Sequence, residues 1–262
     1  MKRITTLMVL TAWSLLSGIG SSSAEWSASG GVEYFRWKER PAPGVKETGP
    51  RLAAGLNWTQ DTESGWLGAY RGKLYGGRVD YTGALLFAPA VPVGGTTKYA
   101  GITNEAQAIY RYPGSAYQVE YVAGLGWDYW RRTLPGSHER EDYNIVFLRL
   151  GVDLNSRTTQ GWYGGGGVKY PLYTRENAHF TDVGFDQNPA LRPGKDMSLY
   201  AQLGHRLKKN WDLIGYYDSF RFSQSNVVAP VTASRLFPGR TFAVSQPKSS
   251  MDVFGLKLQY EF

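Results

Sequence analysis

Val253-Phe254-Gly255-Leu256-Lys257-Leu258-Gln259-Tyr260-Glu261-Phe262 ends the chain, and its side chains alternate in character residue by residue. Phe254, Leu256, Leu258, Tyr260 and Phe262 make one set; Val253, Gly255, Lys257, Gln259 and Glu261 make the other. A period of two sends successive side chains to opposite faces of a strand, so the segment reads as a strand with one apolar and one polar face. The rhythm recurs upstream. Ala106, Ala108, Tyr110 and Tyr112 oppose Glu105, Gln107, Ile109 and Arg111. Val119, Tyr121, Ala123, Leu125, Trp127 and Tyr129 alternate with a set that includes Glu120, Asp128 and Arg132. Val146, Leu148, Leu150, Val152 and Leu154 oppose Ile145, Phe147, Arg149, Gly151 and Asp153.

The pattern predicts strands at roughly 26–38, 50–60, 66–82, 101–112, 116–133, 143–154, 161–175, 196–208, 211–223 and 251–262. Links after the even strands are brief: 61–65, 113–115, 155–160 and 209–210. Links after the odd strands are longer: 39–49, 83–100, 134–142, 176–195 and 224–250. A soluble sandwich also alternates its faces, but strict short–long alternation of hairpin links is the pattern of a membrane barrel. The expected fold is all-β: a transmembrane antiparallel up-and-down β-barrel of about ten strands, with short periplasmic turns and five longer outer loops.

Aromatic residues give a second register. Trp26, Trp58, Trp66, Tyr112, Tyr117, Trp162, Trp211 and Phe262 lie beside a short link or a terminus. These points share the periplasmic rim, where amphipathic rings favour the headgroup layer. Phe35, Trp37, Tyr81, Tyr129, Tyr143, Tyr173 and Phe220 lie near the longer links and are expected at the opposite rim.

Composition fits this reading. With 32 glycines, 18 tyrosines and 9 tryptophans, the chain has a negative mean hydropathy. A barrel needs apolar residues only at alternate positions. Lys2 and Arg3, the broken apolar stretch Ile4 to Ile19 and the small residues Ser21-Ser22-Ser23-Ala24 read as a cleaved signal peptide over 1–24, followed by a barrel domain over 25–262. Its removal takes the formal charge from +7 to +5. That modest surplus suits contact with anionic headgroups and lacks the dense basic clusters of a nucleic-acid binder. There is no cysteine, which excludes disulfides, thiol catalysis and thiolate metal sites.

The terminal run Gly255 to Phe262 resembles the last-strand signal of bacterial outer-membrane proteins, with Gly255, Leu258, Tyr260 and the final Phe262 as its key positions. The resemblance implies recognition by the barrel-assembly machinery and residence in a Gram-negative outer membrane. A ten-strand barrel is also similar to the omptin surface proteases and to some ten-stranded adhesins. Omptin-like proteases activate water with paired aspartates plus an Asp–His pair at the outer rim. Here the histidines are His138, His179 and His205, and no Asp-x-Asp or Asp-x-His sequence accompanies them.

The inward face is expected to carry Glu33, Arg71, Lys73, Glu105, Arg111 and Glu120. Asp128, Arg132, Arg149, Asp153, Lys169, Arg206 and Lys257 join them, with Asp212 and Glu261. Mixed signs on neighbouring strands point to a cross-strand ion-pair network that fills a narrow lumen, or else to a small pore whose charges select solutes. Gly164-Gly165-Gly166-Gly167 lies within a strand and lacks the strand–loop–helix setting of a phosphate cradle, so it is read as room for bending or for bulky neighbours. His138-Glu139-Arg140-Glu141-Asp142 is read as a solvated loop, and His179 near Asp182 as a base–orienter pair without a nucleophile. Residues 226–250 hold Arg235, Arg240 and Lys248 and no acid, a composition that suits gripping lipopolysaccharide phosphates or an external partner, or folding over the rim as a lid. No cofactor or metal signature is present. The expected role is non-enzymatic, in surface interaction or envelope structure; the alternatives are a narrow porin-like channel and a surface lipid- or peptide-acting hydrolase.

Overall fold

The computed structural model describes residues 24–41, 44–85, 88–114, 116–135, 139–156, 160–208, 210–233 and 238–262. The proposed signal peptide, His138, Arg235 and Phe237 lie outside them, apart from Ala24. The strands are β1 (Ala24–Arg40), β2 (Lys46–Gln60), β3 (Gly65–Leu85), β4 (Ala88–Tyr112), β5 (Tyr117–Thr133), β6 (Arg140–Ser156), β7 (Gly161–Ala178), β8 (Ala190–Leu191), β9 (Ser198–Lys208), β10 (Trp211–Phe222), β11 (Val228–Thr232), β12 (Thr241–Val244) and β13 (Lys248–Glu261).

All except β8, β11 and β12 build the wall. Each wall strand pairs antiparallel with its neighbour, and β1 pairs with both β2 and β13, so the ring closes without a free edge. The ten-strand barrel expected from the alternation is the fold observed. Outside it, Val32, Leu52, Leu56, Leu74, Leu125, Leu150, Leu203, Leu256 and Leu258 are exposed. Soluble monomers rarely leave an apolar surface of that extent uncovered, whereas acyl chains cover it well. Trp26, Trp66, Tyr112, Tyr117, Trp162, Trp211 and Phe262 stand exposed at the end that carries the short turns and the last residue, as expected for a girdle. His205 joins that band, with its ring 4.7 Å from Trp162.

The second aromatic set is different from expectation. Phe35, Trp37, Tyr81, Tyr143 and Phe220 point inward and are buried; of the seven, Tyr129 and Tyr173 face outward. Parity explains this. Phe35 and Trp37 share a face with Glu33, while the outward positions between and beyond them are Arg36 and Lys38. The inward rings form a layer across the outer half of the lumen, with Trp130 stacked on Tyr143 at 4.8 Å and Phe147 edge-on to Phe220 at 5.6 Å. The periplasmic half holds a smaller apolar group of Leu67, Ala69, Ile109 and Val122.

Residues 83–100, expected as a loop, are mostly strand. β3 and β4 keep pairing as a ribbon, with Thr82 opposite Gly94 and Ala84 opposite Pro92. Neither β2 nor β5 accompanies them that far, so Pro92 sits where no further ladder needs its N–H.

Glycines serve the inward aromatics. Tyr75 faces Gly101 across the ladder, Phe147 faces Gly126, Tyr163 faces Gly204 and Tyr216 faces Gly255. A Cβ at any of the four would come within 2.4 Å of the opposed ring. Each ring therefore lies over the bare backbone of its partner, which packs the lumen and covers the glycine. The four-glycine run belongs to the same economy of space: a Cβ on Gly167 would meet the Leu150 carbonyl at 2.0 Å.

One bulge alters the facing of a strand. Val146 pairs with Tyr173 and Phe147 with Pro171, so Leu172 is the extra residue of β7. Beyond it the inward set changes from odd to even numbers, turning Thr174 and Glu176 into the lumen. Outside the ring, the two longest connections pack together. Phe180, Phe185, Leu191, Val231, Ala233 and Val244 form a separate buried cluster, with Phe185 and Phe242 at 6.1 Å.

Candidate functional site

The predicted lumen charges all fall on inward positions of their strands, and most find partners. Glu33 on β1 accepts from Arg51 at 2.6 Å, from Lys73 at 2.9 Å and from the Tyr216 hydroxyl at 2.7 Å. Arg149 pairs with Glu105 at 3.3 Å, and Arg111 with Glu120 at 2.7 Å. Lys169 pairs with Asp218 at 2.5 Å. The Tyr75 hydroxyl donates to Asp128 at 2.8 Å, Tyr163 donates to Asp212 at 2.8 Å, and Arg206 donates to the Ser156 carbonyl at 3.0 Å. Asp153 is buried near the periplasmic end. Cavity space remains beside Lys257 and Arg71.

The outer mouth holds a denser group. Arg132, buried on β5, is surrounded by Glu39 at 3.2 Å, Glu47 at 3.6 Å and Glu141, with its guanidinium 5.1 Å from the Trp37 ring. Thr97 and Tyr99 donate to Glu47, Tyr143 donates to Glu141, and Trp37 donates to Glu39 at 2.9 Å. Gln246, in the connection after β12, reaches across to Glu39 at 3.0 Å and ties the last outer loop to β1. Sequence reasoning chose Arg132 and missed Arg51, Glu39, Glu47, Glu141, Glu176 and Asp218. Parity along β2 would have found Glu47 and Arg51, which share a face with Asn57. Glu176 carries no such signal, because its facing depends on the bulge. Glu139, in the loop between β5 and β6, is pushed up to about 7 by burial and by the neighbouring Glu141 carboxylate.

On the outer wall, the His179 ring does not meet the Asp182 carboxylate; the two residues share only the backbone bond from the Asp182 N–H to the His179 carbonyl, at 3.0 Å. The ring Nε2 lies 2.9 Å from Asp142 on the adjacent strand β6 and 3.2 Å from the Asn177 side-chain amide, and Arg140 contacts Nδ1 at 2.8 Å. A guanidinium only donates, so Nδ1 must accept and Nε2 must carry the proton that goes to Asp142. Both ring nitrogens are then committed, and no lone pair is left for a general base. Tyr129 and Arg131 bind the same Asp142, at 3.1 and 2.7 Å. A second outward cluster centres on Asp252, which accepts from Arg36 at 2.7 Å, from Tyr217 at 2.8 Å and from Arg221 at 2.5 Å. Among the described residues, no group of three or more His, Cys, Asp or Glu side chains is arranged to hold a metal ion.

The loop cations stay apart in the chain's layout. Arg240 is exposed in the hairpin that precedes β12, whereas Lys248 opens β13 opposite Arg40. The apolar residues of that loop, Val231, Val244 and Phe242, are turned against the preceding outer connection. Of the terminal-strand positions, Leu258 and Phe262 point outward with Tyr260, while Gly255 lies under Tyr216.

No family model and no curated protein matches the chain. Solved structures do. The outer membrane protease OmpT from Escherichia coli is 10% identical, with 94% of this chain and 100% of that chain covered and a TM-score of 0.51. The transport unit of the autotransporter AIDA-I from Escherichia coli is 9% identical, over 94% and 92% of the two chains, with a TM-score of 0.47. Ail of Yersinia pestis is 12% identical, over 92% and 99%, with a TM-score of 0.36. At such identities the likeness to OmpT is one of fold. The chain has the fold of a bacterial outer-membrane β-barrel.

Proposed function

We propose that this chain is an exported resident of the Gram-negative outer membrane that works through its outer face, in surface interaction or envelope structure, without catalysing a reaction. The observation that carries the reading is the aromatic layer across the outer half of the lumen, where Phe35, Trp37, Trp130, Tyr143 and Phe220 are essentially sealed from solvent. Rings packed at van der Waals contact leave no wet path for a solute past that level. The commitment of both His179 nitrogens argues against carrying the proteolysis named for OmpT over to this chain. Lipopolysaccharide phosphates are suitable contacts for the outward arginines, Arg36 and Arg192 among them, since guanidinium binds phosphate bidentately. The barrel-assembly machinery is the partner implied by the terminal strand.

Reconstitution in planar bilayers tests the reading. The expected record is flat, without single-channel steps. Reproducible steps in the unaltered protein would replace it with the restricted-channel reading.

A further inference from the structure

Midway along the lumen, below the aromatic layer, the side chains leave a cavity of about 130 Å³. A single water needs only ~10–15 Å³ of such space. Arg71, Lys73, Arg149, Lys169 and Lys257 contribute to its wall, against two carboxylates, Glu105 and Asp218. Both acids are already engaged, Glu105 by Arg149 at 3.3 Å and Asp218 by Lys169 at 2.5 Å. Lys73 is held by Glu33 at 2.9 Å.

Two cations are left over. Arg71 donates through Nε to the neutral Gln107 amide at 3.0 Å, and Lys257 has a distant ring contact with Tyr216, at 5.8 Å. Among the described residues, no carboxylate lies within ion-pair distance of either. The Arg149 Nε–H is buried without an acceptor. On the same wall Asp218 Oδ1, apart from its ion pair with Lys169, and the Tyr200 hydroxyl are buried without a hydrogen-bond partner. The space therefore holds donors and acceptors that a hydrated or protonated oxyanion could serve together. Cations gathered without a carboxylate in ion-pair contact are costly in a partly buried space, and a small oxyanion would answer both the surplus charge and the unpaired donor.

We propose that the cavity binds one small oxyanion, of the size and charge of phosphate or sulfate, between Arg71, Arg149 and Lys257. Phe147 and Tyr216 contribute aromatic wall, whereas Ser29, Gly55 and Asn57 keep another part small and polar. The proposal is independent of what the outer face contacts.

Equilibrium dialysis of radiolabelled inorganic phosphate against the refolded full chain in uncharged detergent tests it. Saturable binding of one phosphate per chain is expected, competed by sulfate. Lys257→Met and Arg71→Gln should each weaken it at least about tenfold, the cost of a lost charge-assisted contact. Lys38→Gln, at an exposed outward position, should leave it unchanged, which separates the lumen from general surface charge. In phosphate-free buffer Lys257→Met should melt no lower than the unaltered protein, because it removes repulsion among the clustered cations Arg71, Lys73 and Arg149. Absence of saturable binding, or binding indifferent to both lumen substitutions, overturns the proposal. If Lys257→Met does not assemble, Arg71→Gln decides alone.

Discussion

Arg51 on β2 stands directly opposite Glu33 on β1 and holds its carboxylate at 2.6 Å, with both side chains buried. The same guanidinium lies 4.3 Å from the Phe35 ring centre and 4.5 Å from that of Tyr75, so the ion pair also anchors the base of the aromatic layer. Because Lys73 and Tyr216 still hold Glu33, Arg51→Ala should cost about 1–3 kcal/mol, the range for one lost charge-assisted bond at a buried group. Exchanging both residues, Glu33→Leu with Arg51→Met, should recover part of that loss. Urea unfolding of the refolded barrel measures both, and a double variant as unstable as the single one would refute the pairing argument.

Gly255 tests the glycine–aromatic packing. A Cβ there would come 2.1 Å from the Tyr216 ring, whose hydroxyl donates to Glu33. Gly255→Val should destabilise by about 1–3 kcal/mol through overpacking. Gly30 has open space around the point a Cβ would occupy, with nothing within 4 Å, and should accept alanine without loss. Equal responses at the two sites would show that crowding is not what selects glycine at 255.

The aromatic layer predicts a gain of conductance. Trp130 and Phe220 lie 6.3 Å apart in its centre. Removing both rings, as Trp130→Ala with Phe220→Ala, should produce single-channel steps where the unaltered protein gives none. Each truncation also costs about 3–5 kcal/mol, so only the heat-modifiable, folded fraction should be recorded. A silent double variant would place the block elsewhere.

Glu139 sets a pH response of the outer loop. Its folded pKa, pushed up to about 7, lies above the ordinary value of 4.5. The folded loop then binds more protons than the unfolded one between these values, and its stability falls as pH rises from 4.5 through 7. Exchange protection of the Leu134 N–H, which donates to the Glu139 carbonyl at 2.9 Å, should be lower at pH 8 than at pH 5 once each rate is divided by the intrinsic rate at that pH. Glu139→Gln should flatten that difference; an unchanged pH dependence would assign it to another group.

Phe262 tests the terminal signal. Its side chain is exposed on the outer wall, 5.3 Å from the Tyr260 ring, and its N–H donates to the Trp26 carbonyl at 2.9 Å. Phe262→Ser keeps that backbone bond and removes the ring. Outer-membrane levels measured by fractionation should fall, and levels equal to those of the unaltered chain would count against recognition through this residue.

The sequence by itself determined the wall: the number of strands, the side on which short turns lie, and the inward facing of Glu33, Arg149 and Lys257. These follow from a period of two, which is a local property of extended backbone. It also held the inward facing of Phe35 and Trp37, since their parity matches Glu33, although proximity to a long link suggested the opposite rim. Only the tertiary structure decided which charges meet. The bond between Arg51 and Glu33 depends on the stagger of β1 against β2, and that of His179 and Asp142 on the register of β6 against β7 past a bulge. The same extra residue, Leu172, turned Glu176 into the mouth. Register, bulges and the packing of the two long outer connections are set by contacts far apart in the chain, and alternation within one strand carries no record of them.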